Sequence, residues 1–343
     1  MSEPRYDVIA IGNAIVDVMA PATDEQIEEL QMAKGGMTLI DADQAEQLYG
    51  AMGPAREISG GSAANTLAGL SALGAQCAFV GQVADDQLGS VFAHDIRAVG
   101  IDFDTPVRPA GSSTGPATGP ATGPATGRCL IFVTPDGQRT MNTFLGASQF
   151  LPASALDADM IASARILYLE GYLWDPEQPR AAMRAAIEQA RAAGRKVAFT
   201  LSDGFVIARY GDDFRALIAD GLIDILFANE AELAALTGQD DFETGLAALA
   251  PQVPVLVVTR SEQGAVGVAG GERVAVPAEP IERLVDTTGA GDLFAAGFLY
   301  GHVQGEALET CLRRGAIAAA EIISHYGARP EADLTALMAR RLG

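Results

Sequence analysis

Asp286-Thr287-Thr288-Gly289-Ala290-Gly291-Asp292 runs directly into the apolar, helix-forming stretch Leu293-Phe294-Ala295-Ala296-Gly297-Phe298. Two glycines flanking an alanine let the backbone turn tightly and aim successive N–H groups at one point. The helix that follows adds the positive end of its dipole, and the combination is an anion cradle. Asp292 falls in the first helical turn, where a carboxylate either caps free N–H groups or stands beside a bound phosphate as a general base. Position alone leaves both roles open. A lone Gly-x-Gly is more often just a turn before a capped helix; the full string is far more specific.

Upstream of this stretch, strand-like runs at 166–169, 197–201, 225–228 and 255–258 alternate with helix-like runs at 178–193, 212–219 and 230–236. Such alternation predicts βαβ units with right-handed crossovers and a parallel sheet. Tyr6 to Gly12 is another short apolar run ended by glycine, as expected of a strand buried on both faces. Residues 76–83 read as a further strand. Polar groups just past the C-terminal ends of such strands sit where open α/β sheets bind ligands. Asn13, Asp17, Tyr172, Phe205 and the helix start Asn229-Glu230-Ala231-Glu232 all take that position. Each also has an ordinary explanation: a satisfied turn for Asn13, core for the aromatics, capping for Asn229 and Glu232.

The chain of 343 residues is 49% hydrophobic, enough for a large core, and carries a formal net charge of −21. That charge argues against nucleic acid and anionic membrane as partners. An acidic protein that handles phosphate needs local cations. Cys77, Cys129 and Cys311 are far apart with no Cys-x-x-Cys, so reduced thiols and a cytoplasmic location are expected, with neither disulfides nor zinc. His94, His302 and His325 show no ligand spacing. Residues 58–84 lack charge for 27 positions, but Gly60, Gly61, Asn65, Gly74 and Gly81 divide them into a turn, a helix and a strand of buried core. No basic-then-apolar leader opens the sequence.

Smaller pieces suggest a lid. Short strand-like segments at 37–40 and 56–59 surround a helix at 42–52, and residues 102–108 and 128–134 look like paired strands. Asp136-Gly137 then makes a tight turn before 138–144. The lid is expected to comprise approximately 14–59 and 101–147, within a single domain spanning 1–343. Between its arms Gly115-Pro116-Ala117-Thr118 repeats at Gly119 and Gly123. This tract has no apolar face to bury and is expected to be a flexible loop over 115–126.

Gly12-Asn13 with Asp17, Gly60-Gly61 with Asn65, Asn229 with Glu232, the polar turn from Thr259 to Gly264, and Asp-Thr-Thr-Gly-Ala-Gly-Asp at 286–292 occur in this order along the chain. Together they resemble the PfkB (ribokinase-like) family of sugar and nucleoside kinases. The resemblance runs from Gly12 to Gly327, with the Gly-Pro-Ala-Thr tract outside it. It implies a three-layer α/β fold, with a mostly parallel central sheet flanked by helices and a small β-rich lid.

By the same resemblance Asp292 is the catalytic base and the amides of Gly289, Ala290 and Gly291 form the anion hole. Arg139, after the hairpin turn, swings onto the transferring phosphate. Asn13, Asp17, Gly61 and Asn65 contact the acceptor sugar, with Tyr172 and Phe205 beside a base. Asn229, Thr259 and Gly264 join Gly289 and Gly291 around ATP, while Glu232 and Asn229 order magnesium, largely through water. A monovalent cation such as K+ is left open, as is the choice between monomer and homodimer.

The implied activity is ATP-dependent phosphorylation of the 5′-hydroxyl of adenosine or a related purine nucleoside. The alternatives are a sugar kinase acting on ribose, fructose or 2-keto-3-deoxygluconate, and an idle ligand-sensing protein on the same scaffold. A P-loop kinase is excluded because the two lysines, Lys34 and Lys196, precede Gly and Val instead of Ser or Thr. A dinucleotide-binding enzyme would need a third glycine that Gly289-Ala290-Gly291 lacks.

Overall fold

Residues 4–109 and 124–343 are described by the computed structural model. In chain order the strands are β1 (Tyr6–Ile11), β2 (Ile15–Pro21), β3 (Met37–Leu39), β4 (Arg56–Gly60), β5 (Cys77–Val80), β6 (Ile101–Asp102), β7 (Gly127–Val133), β8 (Arg139–Phe144), β9 (Ala164–Glu170), β10 (Lys196–Thr200), β11 (Ile225–Asn229), β12 (Val255–Thr259), β13 (Ala265–Ala269) and β14 (Glu272–Val276). Nine of them form one sheet in the order β14-β13-β12-β11-β10-β9-β1-β5-β6, parallel from β12 to β6 and antiparallel at the β12–β13 and β13–β14 pairs. The remaining five form a smaller mixed sheet in the order β3-β8-β7-β2-β4.

Apolar residues alternate between the two faces of the large sheet, as the pleat requires. Val8 and Ala10 of β1 join the core under the helices Ser62–Ala72, Ala290–Val303 and Leu308–Ile322. Ile9 and Ile11 join the opposite core under Glu177–Ala192 and Gly204–Ala219. The result is the expected three-layer α/β fold with a small β-rich lid.

Several local expectations need correction. Residues 102–108 are not a lid strand paired with 128–134: Ile101 and Asp102 extend the large sheet beside β5, and Arg108 only bridges Ala84. The partners of β7 are β8, across the Asp136-Gly137 turn, and β2 in parallel. Asp17 is not in a loop after β1 but in the middle of the lid strand β2, opposite Cys129 and Ile58. The helix expected at 212–219 begins at Gly204, because the Asp203 side chain caps the Phe205 N–H.

The charge-free span at 58–84 is the end of β4, a helix and β5, and no helix among the described residues is long and apolar enough to cross a membrane. The repeat tract lies outside the described residues up to position 123. Its last threonine, Thr126, is buried, donates to Asp86 Oδ1 and accepts the Ala84 N–H.

Candidate active site

At the C-terminal ends of the parallel strands, between large sheet and lid, lies a cleft of about 560 Å³. Gly289 to Asp292 line it, together with Asn13, Asp17, Gly61, Asn65, Tyr172, Phe205, Asn229, Glu232 and Thr259. Gly264 does not line it. That residue, at φ +88°, turns β12 into β13, and a Cβ there would meet Val276 O at 2.0 Å.

The loop before helix Ala290–Val303 needs its glycines for different reasons. Gly289 adopts φ +79°, and a Cβ would also press on Ala328. A Cβ on Gly291 would meet nothing within 4 Å, so it would occupy the cleft itself. Of the three amides assigned to the anion hole, that of Ala290 is turned back to Thr287 O at 3.2 Å. The N–H groups of Gly289, Gly291 and Asp292 have no partner among the described residues, leaving three donors at a helix N-terminus.

Asp292 does not cap its own helix. Its Oδ1 accepts Ser62 Oγ at 2.6 Å and its Oδ2 accepts Asn65 Nδ2 at 3.1 Å, both from the first turn of helix Ser62–Ala72. Burial raises the Asp292 pKa; the bonds from Ser62 and Asn65 and the charge of Arg329 oppose that rise. Asn65 keeps a buried Oδ1 with no hydrogen-bond partner among the described residues. The Asp17 carboxylate has no hydrogen-bond partner among the described residues, and burial pushes its pKa up to about 6. Two hydrogen-bond acceptors, Asn65 Oδ1 and the Asp17 carboxylate, therefore belong to residues lining the cleft and have no partner among the described residues.

Asn13 is more committed. Its backbone N and Nδ2 both donate to Glu170 Oε1 at 2.7 Å, and its Oδ1 accepts Ser148 Oγ at 2.8 Å. Glu170 Oε2 accepts the Ala63 N–H at 2.7 Å, so this fully buried carboxylate ties β1, β9 and the helix start together. Its pKa is pushed up to about 7 by burial, against those three bonds.

Tyr172 and Phe205 touch each other, with ring centroids 6.1 Å apart and planes at 39°. A flat ring cannot fit between them, so of the two arrangements open to an aromatic pair, a sandwich is ruled out and a shared flank remains. Across the cleft the lid contributes Ile15, Met37, Leu39, Met141 and Leu145. Met37 and Leu39 are 41% and 44% exposed, unusual for large apolar residues.

Asn229 and Glu232 form a reciprocal capping box: Asn229 N and Nδ2 donate to Glu232 Oε2 and Oε1, and Glu232 N donates to Asn229 Oδ1. Capping therefore holds for these two, and both still line the cleft. Burial pushes the Glu232 pKa up to about 7, with Asp203 adding to the rise. A carboxylate already engaged at both oxygens suits a hydrated hard cation better than direct ligation. No group of three or more His, Cys, Asp or Glu converges among the described residues.

Arg139 lies behind the anion loop and does not line the cleft. Its guanidinium is buried against Asp286, 2.7 Å away, with Thr288 Oγ1 at 3.4 Å and the Tyr326 ring 5.4 Å from its centre. Asp286 also accepts Thr288 N, Thr288 Oγ1 and Gly327 N. Ser62 and Glu170 thus line the cleft, Asp286 pairs with Arg139 beside it and the charge of Arg329 acts on Asp292, although the sequence assigned none of the four a role. The one available signal was Glu170, a carboxylate ending the otherwise apolar Ile166-Leu167-Tyr168-Leu169.

Comparison with known proteins agrees with this geometry. A model of the pfkB family of carbohydrate kinases matches residues 32–334. The solved structure of adenosine kinase from Sinorhizobium meliloti is 47% identical, superposes with a TM-score of 0.88, and covers 99% of this chain and 100% of its own. A probable sugar kinase from Rhizobium etli is 45% identical, with a TM-score of 0.89 and 98% coverage of both chains. Adenosine kinase from Saccharomyces cerevisiae is 25% identical over 342 residues, 93% of this chain and 95% of its own.

Proposed function

This chain belongs to the pfkB family of carbohydrate kinases, and from that premise we propose that it transfers the γ-phosphoryl group of ATP to the 5′-hydroxyl of adenosine or a closely related purine nucleoside. The observation that carries the acceptor is the contiguous Tyr172–Phe205 face opposite the apolar lid residues Met37, Leu39 and Met141. A free sugar would leave that surface wet, whereas one stacked base is worth on the order of 1–3 kcal/mol in single-strand binding. Likeness to the S. meliloti adenosine kinase supports the same reading.

In this reading Asp17 and Asn65 grip the ribose diol and bring the acceptor hydroxyl to Asp292. Asp292 takes the hydroxyl proton as the oxygen attacks, its raised pKa making it a better base than an exposed carboxylate. The free amides of Gly289, Gly291 and Asp292 receive the charge that develops on the phosphoryl oxygens. Glu232 and Asn229 would hold the waters of magnesium, which, when bound with ATP, supplies neutralisation of the phosphate charge. Thr259, at the end of β12, lines the cleft and would contact the nucleotide.

A second reading, a sugar kinase, draws on the nearly equal likeness to the R. etli probable sugar kinase. A coupled ADP-release assay across adenosine, inosine, guanosine, ribose, fructose and 2-keto-3-deoxygluconate separates the two. The highest kcat/KM is expected with adenosine. Preference for any free sugar overturns the nucleoside assignment.

A further inference from the structure

Arg329 follows the last long helix, in the turn Gly327-Ala328-Arg329-Pro330, yet its bonds go to residues more than two hundred positions earlier. Its Nε and Nη2 donate to Ser59 O at 3.2 and 2.8 Å, Nη2 also to Ser59 Oγ at 3.0 Å, and Nη1 to Ala64 O at 2.7 Å. These contacts bracket one corner of the chain, from the end of lid strand β4 through Gly60 and Gly61 into the first turn of helix Ser62–Ala72. The corner is strained and tight: Gly61 stands at φ +97°, and a Cβ there would lie 2.2 Å from Asn13 O. Inside it lie Ser62 and Asn65, the two side chains that hold the Asp292 oxygens.

The turn carrying Arg329 is itself pinned, through Gly327 N to Asp286 Oδ2 and through Glu331 N and Ala332 N to Glu321 Oε1. Charged neighbours of the guanidinium are Asp17, Asp292 and Asp95, the last of which accepts the Ser59 N–H. Burial lowers the Arg329 pKa to about 10, and these carboxylates limit the fall, so it remains a cation at neutral pH. Among the described residues no carboxylate bonds to it directly; its planar fork is spent on backbone and hydroxyl acceptors, a task lysine cannot copy.

We infer that Arg329 is a positioning residue for phosphoryl transfer: it fixes the Ser59–Asn65 corner so that Ser62 and Asn65 orient Asp292, and it places a cation behind Asp17 and Asp292. This rests on the kinase reading of the cleft. Two variants divide the two contributions. R329Q removes the charge and most of the fork, and is expected to lower kcat/KM for the acceptor about 100-fold while leaving the KM for ATP within about twofold. Its acidic limb in kcat/KM moves to higher pH, since Asp17 and Asp292 lose their shared cation; Asp17 keeps Arg139, Asp286 and Asp292 as charged neighbours. R329K keeps the limb near its wild-type place but still loses about tenfold in kcat/KM.

Hydrogen exchange supplies a readout independent of turnover: amides 59–66 exchange faster in both variants while those of β9 to β12 do not change. Wild-type acceptor kinetics and pH profile in folded R329Q, or unchanged exchange at 59–66, overturn the inference. If R329Q does not fold, R329K decides by the same two measurements. A wild-type enzyme that turns over no acceptor removes the kinase reading instead, and the exchange result then decides the role of Arg329 alone.

Discussion

Arg139 Nη1 lies 2.7 Å from Asp286 Oδ2, with both side chains almost wholly withdrawn from solvent. The arginine that the family resemblance assigns to the transferring phosphate thus lies one layer behind the anion loop, joined to the first residue of the loop's own motif. To reach phosphate it must exchange one carboxylate partner for another; in place, it stiffens the loop through Asp286 and Thr288.

Arg139→Ala is therefore expected to lower kcat about tenfold or more, with a smaller change in the KM for ATP. Asp286→Asn should produce a fall of similar size, and the double variant should cost little more than either single one, because paired residues are not additive. Steady-state kinetics on the four proteins checks this. An unchanged kcat in Arg139→Ala would leave the residue with a structural role only.

Asp17 should show a conflict between stability and function. Its folded-state pKa is raised to about 6, so the ionised form is the costly one in the ligand-free protein. The penalty is absent below the unfolded value near 4, grows as pH rises from about 4 to about 6, and is complete above that. Asp17→Asn should then raise Tm by roughly 2–4 °C at pH 7.5 and by nothing at pH 4, while acceptor affinity collapses. A lower Tm at pH 7.5 would contradict the assignment of an unsatisfied carboxylate.

The pH profile follows from the same groups. In the proposed mechanism Asp17 and Asp292 are both ionised to bind and activate the acceptor; burial raises the pKa of each, and the Asp292 charge adds to the rise at Asp17. On the acidic side kcat/KM should fall with a midpoint near 6, above the ordinary carboxylate range, and approach a slope of two at lower pH. Asp17→Asn should reduce that slope to one.

Phe205→Ala should raise the KM for adenosine about tenfold or more and leave the KM for ATP nearly unchanged, since Phe205 and Tyr172 form one aromatic face that the proposed reading gives to the acceptor's base. Equal losses for both substrates would place the aromatic pair elsewhere in the binding scheme.

The parts legible in sequence were those fixed by local rules. Alternating strands and helices announce the parallel sheet, and the glycines of 289–291 announce the turn before helix Ala290–Val303. The lid resisted because its pairing is not local: β2 takes β4 from one side and β7, more than a hundred residues later, from the other. That arrangement put Asp17 in mid-strand and left residues 102–108 to be mistaken for lid. Arg329 and Ser62 were invisible for a related reason. An arginine in a turn and a serine at a helix start have common local explanations, and only tertiary packing brings Arg329 to Ala64 and Ser62 to Asp292. Phe205 was found for its position at the sheet edge although the helix carrying it starts earlier than the apolar pattern suggests.

The central claim is that Asp292, held by Ser62 and Asn65 before three free amides, is the base of an ATP-dependent phosphoryl transfer. Its most direct test is ADP release by Asp292→Asn at saturating ATP and adenosine, beside thermal unfolding and ATP titration of the same protein. Turnover lower by roughly two or more powers of ten, with folding and ATP binding largely retained, is the predicted result. Near-normal turnover in the folded variant would contradict it.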